Sequence, residues 1–516
     1  MSKTAKAALW IMIATLLSKV LGFGREIVLA KYYGTGLYSD VFVLTLNIPS
    51  LIITIVGSAI ATSYVPMYFD IKEKSGNEGT SKFTNNMLNL SCAISIVIAI
   101  LGLLFTEQVV NIFAGGFEGE KFELAVTFTK IMISGVIFLS STRLFTAFLQ
   151  VNDNFAVPAL IGLPYNIIII IAIMVSTKTH INVLAIGALL AMASQLLFQL
   201  PFAIKKNYRY KSYINIKDET IREMIILVLP MLVGVAVGQI NTAVDKALAS
   251  TLGNGPLSAL NYAARLNDFV MAMFITSIVT VIYPKLAKLN NSDNKEGFVD
   301  IIVKSCNFIT LVVLPISVGA IILSKPIVRI LFEGGKFNAE STQMTSVALS
   351  LYAVGLLAMG IRDVLVRALY SLSDTKTPMI NSSIALGINI CLNLILIKVM
   401  GFAGLAISTS LASIITVILL FRSLKKRSGY FGGDKIIKTG LKSLVASLVM
   451  ALGTMFVYNN MYAMLGAGKI NEIIAVALAV SVGAIIYTII IKIFKVEELD
   501  LVFDMINKTK NKLLKR

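Results

Sequence analysis

The chain has 516 residues, of which 56% are hydrophobic and only 14% are charged, and its mean hydropathy is +0.82. A soluble protein of this size could not bury so much apolar surface, so the composition excludes a soluble enzyme or binding module and predicts a polytopic membrane protein. The apolar runs are about 20 residues long, which suits helices rather than barrel strands. The net charge of +18 lies in loops between these runs. Membrane orientation and anionic lipids therefore explain it, and no nucleic-acid partner is expected.

The sequence offers no catalytic or metal-binding motif. Its three cysteines, Cys92, Cys306 and Cys391, stand far apart in apolar runs, and His180 is the only histidine. That spacing gives neither a disulfide framework nor a metal cluster, and no Walker loop or nucleophile elbow occurs. We therefore expect a transporter rather than an enzyme, without a resident cofactor. An ion gradient, the membrane potential or the substrate gradient would drive it.

Fourteen apolar runs predict fourteen transmembrane helices, and no cleavable signal peptide is expected because the first run leads straight into charged sequence. In chain order the spans cover residues 8–30, 39–68, 84–106, 123–148, 156–175, 183–204, 222–249, 258–286, 298–324, 341–370, 379–399, 402–421, 440–460 and 472–494. Basic residues concentrate in the loops at 72–82, 205–222 and 422–442 and in the tail at 508–516. By the positive-inside rule both termini face the cytoplasm, and the chain crosses the cytoplasmic membrane many times.

An offset of 219 residues superimposes features of the two halves of the chain. The matched positions are Gly34 with Gly253, Ser39 with Ser258, Glu26 with Asp245, Gly116 with Gly335, and Arg143 with Arg362. The pattern predicts an all-α fold of two parallel six-helix repeats plus two extra C-terminal helices. The domains are then an N-terminal lobe (1–216), a C-terminal lobe (217–428), and the additional helices with a basic cytoplasmic tail (429–516). Transporters built from such repeats hold their substrate between them.

Several ionisable residues lie within the predicted spans, where each costs at least about 2.5–3.5 kcal/mol and therefore faces a bundle interior or a wet cavity. They include Lys19, Arg25, Glu26, Asp40, Arg143, Asp245, Arg265 and Arg362. A structural ion pair is the alternative for each of them, and has the strongest claim at Asp40 and Arg143. Guanidinium groups bind phosphate oxygens in a bidentate fork, so the cations suit a phosphate-bearing substrate. The carboxylates suit coupling to a cation or a proton. Gly22 and Gly24 favour a bend just before Arg25.

Oxygen-bearing side chains mark the last spans of the second repeat. Asn389 and Asn393 lie four residues apart on one face of the eleventh span, and Thr409 follows on the twelfth. Amide and hydroxyl oxygens are ligands that a hard cation takes. Hydrogen bonds between helices explain the same residues equally well, so both interpretations stay open.

Taken together, four stretches and the helix count resemble the MurJ (MviN) family of lipid II flippases, in the multidrug/oligosaccharidyl-lipid/polysaccharide exporter superfamily. The stretches are SKVLGFGRE, YGTGLYSDVFVLTLNIPSL, PMYFD and NYAARLNDF. The resemblance implies a flippase that moves an undecaprenyl-pyrophosphate-linked disaccharide-pentapeptide to the outer face by alternating access, for peptidoglycan synthesis, cell wall biogenesis and cell shape. It also implies a cationic central cavity, and a lateral groove beside the two extra helices for the lipid tail.

Residue by residue, the resemblance implies a substrate site that contains Arg25 and Glu26 of the family's GFxR(D/E) motif and Arg265 of its YAxRL motif. Asp40 matches the acidic residue that opens the second span. Lys19 stands where many members carry arginine, so a point charge replaces a fork.

The chain departs from the family after NIPSL, where many members carry arginines and this sequence has Ile52, Ile53 and Thr54. One phosphate contact that the resemblance implies is then either missing or supplied by Arg143 or Arg362. Sodium sites in some members resemble the set Asp245, Asn389, Asn393 and Thr409, which implies sodium coupling.

Three rival functions remain at this point. A flippase for another polyprenyl-pyrophosphate-linked glycan would share these features. A drug/cation antiporter of the same superfamily would have twelve spans and an acidic, aromatic cavity. A scaffold for wall-synthesis enzymes would not require charges at membrane depth. Anionic membrane lipids and cell-wall synthesis proteins are the expected partners.

Overall fold

The computed structural model describes residues 3–292, 294–429, 432–496 and 498, and nearly all of these residues are helical. The first nine helices are α1 (Lys3–Tyr33), α2 (Leu37–Leu104), α3 (Thr106–Ala114), α4 (Gly119–Met132), α5 (Gly135–Val151), α6 (Ala156–Leu160), α7 (Gly162–Ser176), α8 (Val183–Lys205) and α9 (Glu219–Ser250). The others are α10 (Pro256–Val270), a π-helical turn (Met271–Ile275), α11 (Thr276–Asn291), α12 (Lys295–Ile322), α13 (Ser324–Phe332), α14 (Ala339–Ser371), α15 (Lys376–Met400), α16 (Phe402–Ser428), α17 (Gly433–Leu465) and α18 (Lys469–Ile493). The all-α prediction is confirmed.

Ten segments of the described chain are long and apolar enough to cross a membrane, or twelve if each of two bent helix pairs is one span. The bent pairs are Gly119–Met132 with Gly135–Val151, at 45°, and Pro256–Ile275 with Ile278–Asn291, at 40°. Each of the twelve corresponds to one predicted span. The remaining two predicted spans coincide with α1 and α9, which are outside this count because parts of both lack described side chains. The total of fourteen therefore stays a prediction.

The order of helices repeats along the chain as the sequence offset predicts. The short helices α3 and α13 are each nine residues long and occupy equivalent places in the two halves. Within α2 the helix breaks at Gly76, where φ is 61°, and this break corresponds to the gap between α11 and α12. Gly34 and Gly253 both adopt positive φ, 61° and 83°, at the matched turns after α1 and α9. Only glycine adopts that backbone conformation without strain, so the same turn is encoded twice.

The chain forms two compact units. The first contains Met1–Ser258 with Gly334–Asn338, and the second contains Ala259–Glu333 with Ala339–Arg516. Helix α9, which is the seventh predicted span, packs on α2 and α3 and therefore belongs to the first unit. The compact units thus divide later in the chain than the repeats do. The lobe boundary at 216/217 and the separate C-terminal segment from 429 stay predictions about the repeats.

In the first unit, aromatic side chains form a core on either side of the break in α2 at Gly76. Tyr64 is fully buried, stacks on Phe83 with ring centroids 5.4 Å apart, and shares a hydrogen bond with Thr84 at 2.7 Å. Phe145 of α5 meets the edge of Tyr208 at 5.0 Å. These edge-to-face and offset contacts add to the apolar burial of each ring. The cluster joins α2 and α5 to the segment that follows α8.

Three asparagines of α2 form hydrogen bonds with the backbone of the extended segment between α8 and α9. Asn86 donates its side-chain N–H to Asn215 O at 3.0 Å and accepts the Asn215 N–H at 2.8 Å. Asn85 makes the same paired contact with Arg209 O at 3.0 Å and Lys211 N at 3.0 Å, and Asn89 donates to two further carbonyl groups. Carboxamides satisfy both the donor and the acceptor of an extended backbone, as a neighbouring strand would. The connection between the repeats is therefore held in place.

We expect Asn86→Ala to lower the melting temperature of the purified protein, because it removes two hydrogen bonds that contribute about 0.5–1.5 kcal/mol each. Asn77→Ala is the matched control, since Asn77 is an exposed asparagine of the same helix. The measurement is thermal unfolding in detergent. Equal melting temperatures for the two variants would show that the paired contact does not stabilise the fold.

In the second unit, the two extra helices α17 and α18 dock on α12 and α13. Tyr487 donates its hydroxyl to Leu311 O at 2.9 Å, and Arg329 contacts the buried Glu472 at 3.0 Å. Glycine at position 483 brings α18 close to α17, because a Cβ there would lie 2.2 Å from Thr454 Oγ1. Small residues allow such close approach between membrane helices. The extra pair is thus an integral part of this unit.

Candidate functional site

Arg25 and Glu26 of α1 form a buried ion pair on the side of the helix that faces α7. Arg25 donates to Glu26, whose side chain is 4% exposed, and the guanidinium carbon lies 5.7 Å from the centroid of the Tyr165 ring. Helix α1 continues without interruption through Gly22 and Gly24, so the predicted bend does not break it. Gly22 faces α7, where a Cβ would make an ordinary van der Waals contact with Asn166 Nδ2 at 3.5 Å. The pair is held within one wall of the first unit.

Asp40 occupies a different environment, in which every contact is structural. Its carboxylate is fully buried and accepts from Lys121 Nζ at 2.9 Å, from the Gly255 N–H at 2.7 Å and from the Ser258 N–H at 2.8 Å. Lys121 also donates to Gly253 O at 2.8 Å. The pair therefore joins α2, α4 and the turn before α10. The sequence predicted Asp40 as a substrate ligand, whereas this geometry favours the alternative of a structural ion pair.

Lys121 is a residue that the sequence analysis did not select. It lies just before a predicted span, among the acidic residues Glu118, Glu120 and Glu123. Such a mixture of charges is typical of a solvated loop, so the sequence did not indicate a buried lysine. Its side chain is only 8% exposed, and it lies 4.2 Å from the centroid of the Phe117 ring. The only sequence signal was a single lysine on the side of the membrane that is poor in basic residues.

Two glycine hairpins beside this pair make reciprocal contacts between the repeats. At Gly116 a Cβ would lie 2.4 Å from Thr251 Cα, and the Gly116 N–H donates to Ser250 Oγ at 3.1 Å. At Gly335, the matching position of the other repeat, a Cβ would lie 2.2 Å from Lys31 O. The 219-residue offset that relates Gly116 to Gly335 also relates Lys31 to Ser250. Each repeat therefore docks its hairpin on the equivalent helix end of the other, and any side chain at either glycine would separate them.

Neither Arg143 nor Lys19 has an ion-pair partner among the residues that the structure describes. Both side chains are exposed. The stem of Arg143 crosses Gly57 of α2, where a Cβ would lie 2.9 Å from Arg143 Cγ. Arg143 thus reaches the helix that carries Ile52 and Thr54, within about one and a half turns of the positions where the family resemblance expects arginine.

Arg265 and Arg362, the two second-unit arginines of the predicted substrate site, each lie beside a carboxylate of the same helix. Arg265 of α10 contacts Asp268 at 3.3 Å, and Arg362 of α14 contacts Asp363 at 3.2 Å. All four side chains are more than a third exposed. Such pairs contribute little to stability, but each carboxylate limits where the guanidinium group can point. The second unit therefore presents two oriented, accessible guanidinium groups.

The four residues of the predicted sodium site are distributed over both units. Asp245 lies in α9 of the first unit, and the other three lie in α15 and α16 of the second. Asn393 is fully buried and donates to Asn389 Oδ1 at 3.0 Å, whereas Thr409 donates to Leu405 O at 3.1 Å. The two asparagines are thus bonded to one another along a single helix face. No cluster of three or more His, Cys, Asp or Glu side chains suited to a metal occurs among the described residues.

An apolar cavity of about 450 Å³ opens in the second unit. Its walls come from α10, α12, α13, α14, α17 and α18, and include Leu266, Pro315, Leu356, Met450 and Val480. Leu266 directly follows Arg265 in the chain, so an accessible guanidinium group belongs to the same helix as the cavity wall. The second unit therefore combines a cationic helix with an apolar cavity, as an amphiphilic ligand requires.

These features define a class of protein: a polytopic helical transporter of two parallel repeats, with two further helices beside an apolar cavity and charges held within the spans. The sequence matches the family described as lipid II flippase MurJ over residues 29–476. That range is most of the chain, and the chain belongs to the lipid II flippase MurJ family.

Individual relatives agree with this assignment. A probable lipid II flippase MurJ of Vibrio cholerae is 28% identical over 509 residues, covering 96% of this chain and 97% of the relative. One of Haemophilus influenzae is 29% identical over 457 residues, covering 84% and 89%. A solved lipid II flippase MurJ in an inward closed conformation superimposes with a TM-score of 0.79 at 29% identity, covering 94% of this chain and 99% of that one. An inward-facing multidrug transporter of the MATE family superimposes at 0.69 with 16% identity, covering 84% and 99%, and shows a shared fold.

Proposed function

We propose that this protein translocates lipid II from the cytoplasmic to the outer face of the cytoplasmic membrane by alternating access, for cell-wall synthesis. The observation that carries the proposal is the family match, which spans both repeats and reaches α18. The amphiphilic character of the second unit supports it, because lipid II joins a pyrophosphate to a long apolar tail. The parallel repeats supply two bodies that can rock against one another.

Depletion of the protein in its own host tests this function directly. Lipid II should accumulate on the cytoplasmic face of the membrane, and its appearance at the outer face should stop. Lipid-linked precursors would be identified by mass spectrometry after extraction from right-side-out and inverted vesicles. Accumulation of a different polyprenyl-pyrophosphate-linked glycan, with lipid II unaffected, would reassign the substrate.

The pyrophosphate would be bound by Arg25 and Arg265. Each guanidinium group has five N–H donors and uses only part of them on its neighbouring carboxylate, Glu26 or Asp268. Guanidinium groups suit phosphate oxygens because they bind them in the bidentate geometry that arginine favours. Lys19 and Arg362 extend the cationic surface. Asp40, in contrast, would act by holding the turn before α10 rather than by contacting the substrate.

Arg143 would replace the phosphate contact that many family members take from arginines after NIPSL. Its stem rests on Gly57 of the same α2 helix, and it has no ion-pair partner in the described chain that would neutralise it. Glycine at position 57 makes the crossing possible, since any larger residue would displace the Arg143 stem. Arg143 of α5 would therefore supply the phosphate contact that Ile52 and Thr54 of α2 cannot make.

The lipid tail would lie in the apolar cavity beside α17 and α18. An apolar surface buried there gains about 25 cal/mol per Å² relative to water, although much less relative to lipid. The cavity would therefore guide the tail more than it would bind it tightly. This agrees with a substrate that must be released after each cycle.

Both termini are proposed to be cytoplasmic, on the bias of basic loops. The test uses a background in which Cys92, Cys306 and Cys391 are replaced, with one cysteine introduced at exposed Ser212 or Asn254. A membrane-impermeant maleimide added to intact cells should label position 254 and leave 212 unlabelled until the membrane is opened. Labelling at 212 from outside would reverse the orientation.

Sodium is proposed to bias the two access states through Asp245, Asn389, Asn393 and Thr409. A ligand shifts such an equilibrium only through unequal affinity for the two states, so sodium should change both binding and conformation. Replacing sodium by choline should abolish a saturable fluorescence change in purified protein. Asp245→Asn should weaken that change, whereas Glu26→Gln should leave sodium affinity intact. Without any saturable sodium dependence, the membrane potential acting on the cationic residues becomes the better driving force.

A further inference from the structure

A second cavity, of about 470 Å³, lies at the end of the first unit opposite the asparagine-held segment, where α1 ends and α2 begins. It is lined by Lys31, Tyr32, Tyr33 and Tyr38, by Ser176, Thr177 and Ile181 after α7, and by Gly335 and Lys336 of the second repeat's hairpin. None of these lining residues is acidic. Neither Arg25 nor Arg265 lines this cavity, which has no part in the function proposed above.

The two lysines are brought to this cavity by the glycine contact between the repeats. The Lys336 N–H donates to Lys31 O at 2.9 Å, and a Cβ at Gly34 would lie 2.4 Å from Lys336 O. Neither ammonium group forms an ion pair with any carboxylate in the described part of the chain. Two like charges held at one cavity repel each other, and a bound anion relieves that repulsion.

Tyr32, Tyr33 and Tyr38 line the cavity and indicate its depth in the membrane. The Tyr33 hydroxyl shares a hydrogen bond with Ser176 at 2.8 Å, and the Tyr33 ring meets the edge of Tyr38 at 6.1 Å. Lys336 Nζ lies 5.8 Å from the Tyr33 ring centroid. Tyrosines at the ends of transmembrane helices mark the boundary between hydrocarbon and headgroups. The lysines therefore stand at the depth of lipid phosphates.

We propose that this cavity binds the phosphate of an anionic phospholipid headgroup, in the leaflet that faces the loops poor in basic residues. Lys31 and Lys336 would hold the phosphate, and the Tyr38 ring and the partly buried Tyr32 would flank the glycerol. On the cytoplasmic side of membranes, basic pockets between transmembrane helices bind such headgroups, and the same attraction between ammonium groups and a phosphate would act here. Because both lysines belong to the contact between the repeats, the bound lipid would also stabilise that contact.

The experiment measures the melting temperature of the purified full-length protein while dioctanoyl-phosphatidylglycerol is titrated. Dioctanoyl-phosphatidylcholine and inorganic phosphate are titrated in parallel. We expect a saturable rise with phosphatidylglycerol alone. The Lys31→Ala/Lys336→Ala variant should need about 30-fold more lipid for half the rise, since each lysine near an anionic surface contributes about a fivefold factor. The Lys31→Arg/Lys336→Arg variant, which keeps both charges, should respond nearly as the parent does.

The matched control is Lys178→Ala, because Lys178 is exposed two residues beyond Ser176 but does not line the cavity. An equal loss with Lys178→Ala, or no loss in the double alanine variant, would overturn the site. Equal responses to phosphatidylcholine would show binding through acyl chains, and equal responses to inorganic phosphate would overturn the lipid assignment. If the double alanine variant does not purify, each single alanine variant carries the same prediction at about fivefold.

Discussion

Replacing Arg25 and Arg265 together by alanine should abolish growth of a strain that depends on this protein, while its amount in the membrane stays near normal. A hydrogen bond to a charged group contributes about 1.5–3 kcal/mol, so the loss of each arginine weakens pyrophosphate binding by roughly 10- to 150-fold. The Arg265 pair with Asp268 is exposed and contributes little to stability, whereas Arg25 pairs with the buried Glu26, so loss of growth counts as loss of binding only where the amount in the membrane is retained. Growth and immunoblots of membranes measure the two quantities.

The conservative variants sharpen this prediction. Arg25→Lys and Arg265→Lys keep the charge but lose the bidentate fork, so intermediate growth is expected. Arg143→Ala should also be intermediate if Arg143 supplies the contact across Gly57. Arg209→Ala, an exposed arginine of the segment between the repeats, is the control and should grow normally. Full growth of the Arg25→Ala/Arg265→Ala variant would refute a role for these residues in binding pyrophosphate.

Lys121→Ala should destabilise the protein more than most single substitutions, although the sequence alone gave no reason to choose this residue. It leaves the fully buried Asp40 carboxylate with only the N–H groups of Gly255 and Ser258. Removing one partner of a buried ion pair costs about 3–5 kcal/mol, since the remaining charge is uncompensated. Melting temperature of the purified protein and growth of the dependent strain should both fall.

Substitutions of Asp40, alone and combined with Lys121→Met, test whether the intact ion pair or a single charge determines stability. Asp40→Asn offers one acceptor where the carboxylate offers two, and it directs an N–H₂ group at another donor. Asp40→Asn combined with Lys121→Met should be more stable than either single variant, because no buried charge remains. Lys130→Ala is the control, since Lys130 is exposed on the same helix. A Lys121→Ala protein as stable and active as Lys130→Ala would exclude a structural role for the pair.

Hydropathy and the 219-residue offset were enough to predict most of the fold. Long apolar runs have few alternatives in a bilayer, because every backbone polar group must be satisfied within the helix. Gly34 and Gly253 are matched by the offset, and both have positive φ in the structure. The pairing of Arg25 with Glu26 could also be predicted from the sequence, since residues adjacent in the chain lie close together in any fold.

Contacts between distant residues were decided by the tertiary structure alone. Asp40 meets Lys121 across 81 residues and Ser258 across 218, and Arg143 crosses Gly57 of another helix. The same holds for Lys31 and Lys336, which are unremarkable single lysines until a hairpin places them at one cavity. Hydropathy records whether a residue can be buried, but not which helices surround it. The neighbours follow from the packing of whole helices, and that packing is set by the summed shape of many side chains.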